Sequence, residues 1–214
     1  MNYRIDIQIL RGVSVLLVVL FHFGFSAAQS GFLGVDVFFV ISGFLMAVLY
    51  KQSDILGFFT RRAKRLLPPY FVVIAATLCA SFLFVTRNES AQVVTQAWFG
   101  TFYLSNIGFW MQNSYFSKAE FNPLLHLWSL GVEIQFYLCI PILVWFFNKW
   151  KLLLPLFLAL SLALCLVMLG ISGKTSFFMM PLRTWEFLLG FGTALYLCKN
   201  GNTLSDRRQL WGLL

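Results

Sequence analysis

Six runs of mainly apolar residues, at about 7–25, 34–50, 66–86, 125–147, 152–171 and 177–197, decide what this chain can fold into. A helix needs roughly 20 such residues to cross the hydrocarbon of a bilayer. Only 11% of the 214 residues are charged, where a soluble domain carries about a quarter. With 59% apolar residues, 25 of the total being Phe, the chain lacks the polar surface that water would require. The expected fold is all-α: a polytopic transmembrane helix bundle forming a single domain over residues 1–214.

The net charge of +8 does not point to nucleic acid, because the basic residues sit in short clusters between apolar runs. Such clusters hold loops on the cytoplasmic side. Lys51, Arg61, Arg62, Lys64 and Arg65 face a single Asp54; Lys149 with Lys151, and Lys199 with Arg207 and Arg208, form two more. The stretch 98–111 is apolar and aromatic but short, and Ser105, Asn106 and Gly108 interrupt it. If it does not cross, all three clusters and the N-terminus fall inside. The reading is therefore six crossings plus a re-entrant or interfacial segment, with outer loops at 26–33, 87–124 and 172–176. Pro68 and Pro69 are expected in the first turn of the third span, where a missing N–H is harmless. Gly190 and Gly192 permit a close helix contact.

Arg4 and Arg11 precede an apolar run, and Ser26-Ala27-Ala28 imitates a signal cleavage site, but an uncleaved first span explains the same pattern. Trp211-Gly212-Leu213-Leu214 reads as the start of another span, so the chain is expected to be the N-terminal part of a longer domain. Cys79, Cys139, Cys165 and Cys198 show no CxxC spacing and read as packing residues.

Ionisable residues inside a membrane are costly and mark interiors or watery cavities. Here they are Arg11, His22, Asp36, His126, Glu133, Arg183 and Glu186. Arg11 and His22 are eleven residues apart, about 20° from full helical register, and so share a face some ~16 Å apart along the axis. His126 and Glu133 are seven apart with Ser129 between, on nearly one stripe about 10 Å long. A His with a carboxylate suits acid–base chemistry. The run at Arg61, Arg62, Lys64 and Arg65 suits an anion, because the guanidinium forks onto phosphate. Two other classes fit some of the same residues: a transporter using His22, Asp36 and Glu133 as a proton or ion relay, and a metal site of His22, His126 and Asp36.

The residues also resemble a known family. Arg11, ten intervening residues and His22 are similar to the first-span motif of membrane-bound acyltransferase family 3. Residues 31–45, GFLGVDVFFVISGFL, resemble its second-span signature. Residues 59–70, FTRRAKRLLPPY, resemble its inner-loop motif, with Arg62 and Arg65 supplying an RxxR spacing. Residues 125–137, LHLWSLGVEIQFY, resemble a further block. Four blocks in family order cover residues 4 to about 197, although the family usually has about ten spans. The resemblance implies O-acylation of a surface carbohydrate such as lipopolysaccharide O-antigen, capsule or exopolysaccharide. The donor would be acyl-CoA, commonly acetyl-CoA, without a metal. His22 would be catalytic with Arg11 as its partner, and Glu133 and His126 would follow. Arg61, Arg62 and Arg65 would bind the donor; Asp36, Trp128 and Ser129 would meet the acceptor. The partners expected are membrane lipid, acyl-CoA and the carbohydrate, with no protein partner identifiable, in the inner membrane of a bacterium.

Overall fold

A computed structural model describes residues 5–112, 121–150 and 152–199, without the side chains of residues 198 and 199. Among the described residues there are nine α-helices and no strand: α1 (Ile5–His22), α2 (Gly34–Leu49), α3 (Ile55–Phe84), α4 (Arg87–Thr101), α5 (Ser105–Met111), α6 (Leu127–Lys149), α7 (Leu153–Ile171), α8 (Gly173–Phe178) and α9 (Met180–Lys199). Two 3-10 turns, Ser26–Ala28 and Gly31–Leu33, join α1 to α2. The readings that fall on Arg4, Lys151, Arg207, Arg208, the 113–120 part of the outer loop and Trp211 to Leu214 lie outside the described residues.

Among the described residues, five helices are long and apolar enough to cross a membrane: α1, residues 31–49 containing α2, α3, α6 and α7. The protein is an integral membrane protein with an all-α, polytopic architecture. The sixth expected span, 177–197, differs from expectation. The chain breaks between α8 and α9 at Met179, and α9 carries Arg183 and Glu186 and does not join the five.

One further expectation is corrected and another is refined. The third span does not open at Pro68. The helix starts at Ile55 and runs for 30 residues through the basic run, with Pro68 and Pro69 inside it. Each proline removes one N–H, so the carbonyls of Lys64 and Arg65 lose their helical donors. Membrane helices tolerate this where other groups satisfy the freed carbonyls. The refinement concerns 98–111, expected as a short segment that does not cross, which consists of the end of α4 and the whole of α5. Residues 102–104 separate α4 from α5, and Tyr103 takes a left-handed backbone with φ of 58°. A non-glycine residue there is uncommon, and two pieces this short cannot span.

The chain divides into two compact units: Met1–Ile55 with Pro141–Ser161 and Thr184–Leu214, and Leu56–Ile140 with Leu162–Arg183. In the first, α1 packs on α2, with Ile7 buried against Ile41 and Leu45. A β-carbon at Gly34 would strike the backbone oxygen of Ser14. The same device joins α2 to α9 twice: a β-carbon at Gly43 would overlap the Phe187 carbonyl, and one at Gly190 the Val40 carbonyl. The Phe39 and Phe187 rings then stack at 4.7 Å. Gly190 thus makes the close contact expected of it, while Gly192 meets only Leu154 Cδ2 at an ordinary 3.7 Å.

In the second unit, polar contacts pin the broken segment. Thr86 and Glu89 form a reciprocal capping box that starts α4. The Tyr70 hydroxyl of α3 donates to the Gly100 carbonyl at 2.9 Å, near the end of α4. In α5, Asn106 Nδ2 donates to the Phe178 carbonyl at 3.1 Å. Gln135 Nε2 of α6 donates to Asn106 Oδ1 at 2.8 Å and to the Tyr103 carbonyl at 3.1 Å.

Gly190→Ala is expected to cost about 1–3 kcal/mol through overpacking, seen as a lower midpoint of thermal unfolding in detergent. Gly170→Ala, at a position with nothing within 4 Å, is the control and should not lower it. Equal losses in both would show that the α2–α9 contact is not the cause.

Candidate functional site

In the first unit, His22 is the last residue of α1 and is exposed. Its ring is held: Nδ1 lies 2.8 Å from the Val18 carbonyl oxygen one turn back. A carbonyl only accepts, so Nδ1 carries the proton in this contact. In the neutral ring Nε2 is then the nitrogen with the lone pair. Phe21 packs edge-on against the imidazole at 5.4 Å. Arg11 lies on the same helix, half-buried, with its guanidinium carbon 5.1 Å from the centre of the Phe38 ring of α2. Eleven residues of α-helix separate Arg11 and His22 by about 16 Å, so one face carries both without contact. Asp36 sits half-buried in the first turn of α2, where the helix dipole favours a negative charge.

The second unit holds the other candidates. Glu133 is 2% exposed on α6, and its Oε1 accepts from the Tyr137 hydroxyl at 2.5 Å. Arg62 is 7% exposed, with its guanidinium 5.3 Å from the centre of the Tyr137 ring and 5.7 Å from that of Phe58. Arg61 is half-buried, whereas Lys64 and Arg65 are exposed. The basic run is therefore not one surface patch. One helical face turns Arg62 inward, and the others leave Arg65 free to meet a soluble anion.

His126 departs from expectation. It lies in the turn before α6, exposed, so the helical register that placed it on one stripe with Ser129 and Glu133 does not reach it. Ser129 Oγ donates to the His126 carbonyl at 3.2 Å, which ties the turn to the helix start. Trp128 is 5% exposed and packs on Phe177 at 4.4 Å and Phe178 at 5.6 Å. Arg183 covers the cluster, its guanidinium 5.9 Å from the centre of the Trp128 ring and its Nε donating to the Phe177 carbonyl at 3.2 Å. Trp128 is thus a buried residue of this aromatic cluster.

Two groups escaped the sequence reading. Tyr137 stood inside a quoted motif, but only its one-turn spacing from Glu133 hinted at a bond. The Asn106–Gln135 pair had one signal, the polar break in an apolar run. Among the described residues, no three His, Cys, Asp or Glu side chains are placed to hold a metal ion.

Comparison with known proteins bears on all of these residues. The family described as an acyltransferase domain matches residues 4–213. The O-acetyltransferase OatA of Staphylococcus aureus is 35% identical over 197 residues, covering 85% of this chain and 32% of OatA. BcsY of Komagataeibacter xylinus, named as a membrane-bound transacylase, is 34% identical over 196 residues, covering 88% of this chain and 50% of BcsY. The peptidoglycan O-acetyltransferase OatA of Listeria monocytogenes is 36% identical over 177 residues, covering 75% and 28%. The chain thus spans between about a quarter and a half of the length of these relatives. No solved structure matches the chain.

Replacing Asn106 by Ala should leave Gln135 and the Phe178 carbonyl short of partners. A buried polar group left unmet costs about 1–3 kcal/mol, so the thermal midpoint should fall and proteolysis within 102–112 should speed up. A variant as stable and as protected as the parent would show that the amide pair does not hold the broken segment.

Proposed function

The chain belongs to acyltransferase family 3, and from that premise we propose that it moves an acyl group from acyl-CoA to a hydroxyl of a cell-envelope carbohydrate. The names of two relatives, both O-acetyltransferases, support acetyl as the group; acetyl-CoA as the donor follows from the family resemblance alone. The name of the Listeria relative supports peptidoglycan as one acceptor; lipopolysaccharide O-antigen, capsule and exopolysaccharide are acceptors that the family resemblance adds. The observation that carries the reading is the His22 imidazole, exposed at the end of α1 with Nδ1 tied to the Val18 carbonyl. That bond orients the ring and leaves Nε2 to accept a proton.

In the step proposed, the acceptor hydroxyl oxygen attacks the thioester carbonyl carbon. The new C–O bond forms, the C–S bond breaks, and the hydroxyl proton passes to His22 Nε2. The same proton then neutralises the departing thiolate, so the ester and the free thiol are the products. General-base assistance of this kind contributes about 10²–10⁴-fold. Arg11, on the same face but a helix-length away, serves the donor side. Arg65 and Arg61 take the phosphates of the donor from the cytoplasmic side. Glu133 and Arg62 act inside the bundle. Asp36 in the first unit, and Ser129 and His126 in the second, are assigned to the acceptor. The membrane is the inner membrane of a bacterium, with the basic part of α3 inside.

The test uses the full-length reading frame in membranes at matched protein levels, with labelled acetyl-CoA and acceptor glycan. His22→Gln should insert normally and lose transfer by about 10²-fold or more. Arg65→Ala should raise the apparent KM for acetyl-CoA and retain kcat. A His22→Gln enzyme with near-parent turnover would make His22 structural and remove its role as base.

A further inference from the structure

Resting on the acyl-transfer reading above, we infer that Tyr137 is the positioning residue that holds Glu133 and Arg62 as one unit. Glu133 and Tyr137 are four residues apart on α6, so their side chains meet on one face. The Tyr137 hydroxyl donates to Glu133 Oε1 at 2.5 Å. The ring of the same tyrosine carries the guanidinium of Arg62, which comes from α3, at 5.3 Å. Phe58, one turn before Arg62, stands nearly perpendicular to the Tyr137 ring at 6.3 Å and contacts the same guanidinium. One side chain therefore touches both a buried acid and a buried base, through different atoms.

The arrangement also leaves a vacancy in bonding. Arg62 Nη2 is buried and has no hydrogen-bond partner among the described residues. Buried polar groups are almost always paired, and a missing partner calls for an explanation. The aromatic contacts attract the guanidinium charge but accept no hydrogen bond from Nη2 that would meet its need for a partner. An oxygen of the acyl donor is the partner that the reading supplies. Tyr137 then has two separable tasks. Its hydroxyl fixes where the Glu133 carboxyl points, and its ring fixes the plane in which Arg62 offers its donors.

The experiment compares the full-length parent with Tyr137→Phe, Tyr137→Leu, Glu133→Gln and the Tyr137→Phe/Glu133→Gln double variant. It reads kcat and KM for acetyl-CoA, the thermal midpoint, and binding of a non-hydrolysable acetyl-CoA thioether. Tyr137→Phe should keep KM and thioether binding and lose kcat about tenfold or more, the scale of one hydrogen bond to a charged group. The double variant should be no worse than Glu133→Gln alone, because both changes break one interaction. Tyr137→Leu should in addition weaken thioether binding about fivefold or more through loss of the ring. Parent-like kcat in Tyr137→Phe, a fall in thermal midpoint alone, or full additivity with Glu133→Gln would overturn the inference. A parent that transfers no acyl group would remove the acyl-transfer reading, and this inference with it. An active parent with an indifferent Tyr137→Phe would remove this inference alone.

Discussion

Everything in this protein depends on the absence of water around its backbone and most of its side chains. In a bilayer each polar group must find a partner within the protein. The small hydroxyls do so locally. Ser14 of α1 donates to the Leu10 carbonyl at 2.7 Å and Thr193 of α9 to the Leu189 carbonyl at 2.8 Å, each one turn back along its own helix. The larger amides need distant partners, and Asn106, Gln135 and Gln96 find them across helices or in the chain before α6. The irregular backbone at Tyr103 survives because such bonds hold it; its carbonyl is met by Gln135.

The same constraint sorts the candidate residues. An imidazole tied to its own helix by one nitrogen keeps the other available for chemistry, and His22 has that form. Trp128 and Arg183 instead pack on each other and on Phe177. Arg62 and Glu133 lie between these cases: both are buried, both touch Tyr137, and Arg62 retains one nitrogen without a bond. Polarity alone does not separate such residues. What separates them is how much bonding capacity the surrounding protein leaves unused.

Length and hydropathy made the spanning helices legible, because crossing a bilayer demands both at once. The motif order made the family legible through residues 4–213. The start of α3 was not legible, since a cluster of Arg and Lys followed by two prolines looks the same whether it lies on a loop or on a helix that protrudes from the membrane. The break between α4 and α5 left only a weak trace in composition. His126 stands in the turn immediately before α6, which begins at Leu127, so its spacing with Glu133 was legible while the end of the helix was not. The Asn106–Gln135 pairing spans 29 residues of sequence, and no local pattern encodes a partner that far away.

The length of α3 ties these points together. Thirty residues make a helix of about 45 Å, longer than the roughly 30 Å of hydrocarbon. The apolar part after Arg65 is close to the span required, so the segment from Ile55 to Arg65 extends past it. Pro68 and Pro69 then fall near the boundary, where the freed carbonyls of Lys64 and Arg65 can meet headgroup water or a basic side chain. Arg62 lies nearly two turns before the prolines, with its guanidinium near the rings of Tyr137 and Phe58. A lysine would be a poor substitute at this place, because a compact ammonium lacks the planar fork of donors that a guanidinium offers. The guanidinium permits one residue to pack as an aromatic partner within the protein and to bind oxygen beyond it. That dual capacity is what a site at the edge of the hydrocarbon requires if a charged donor is to be met there without an isolated charge being buried.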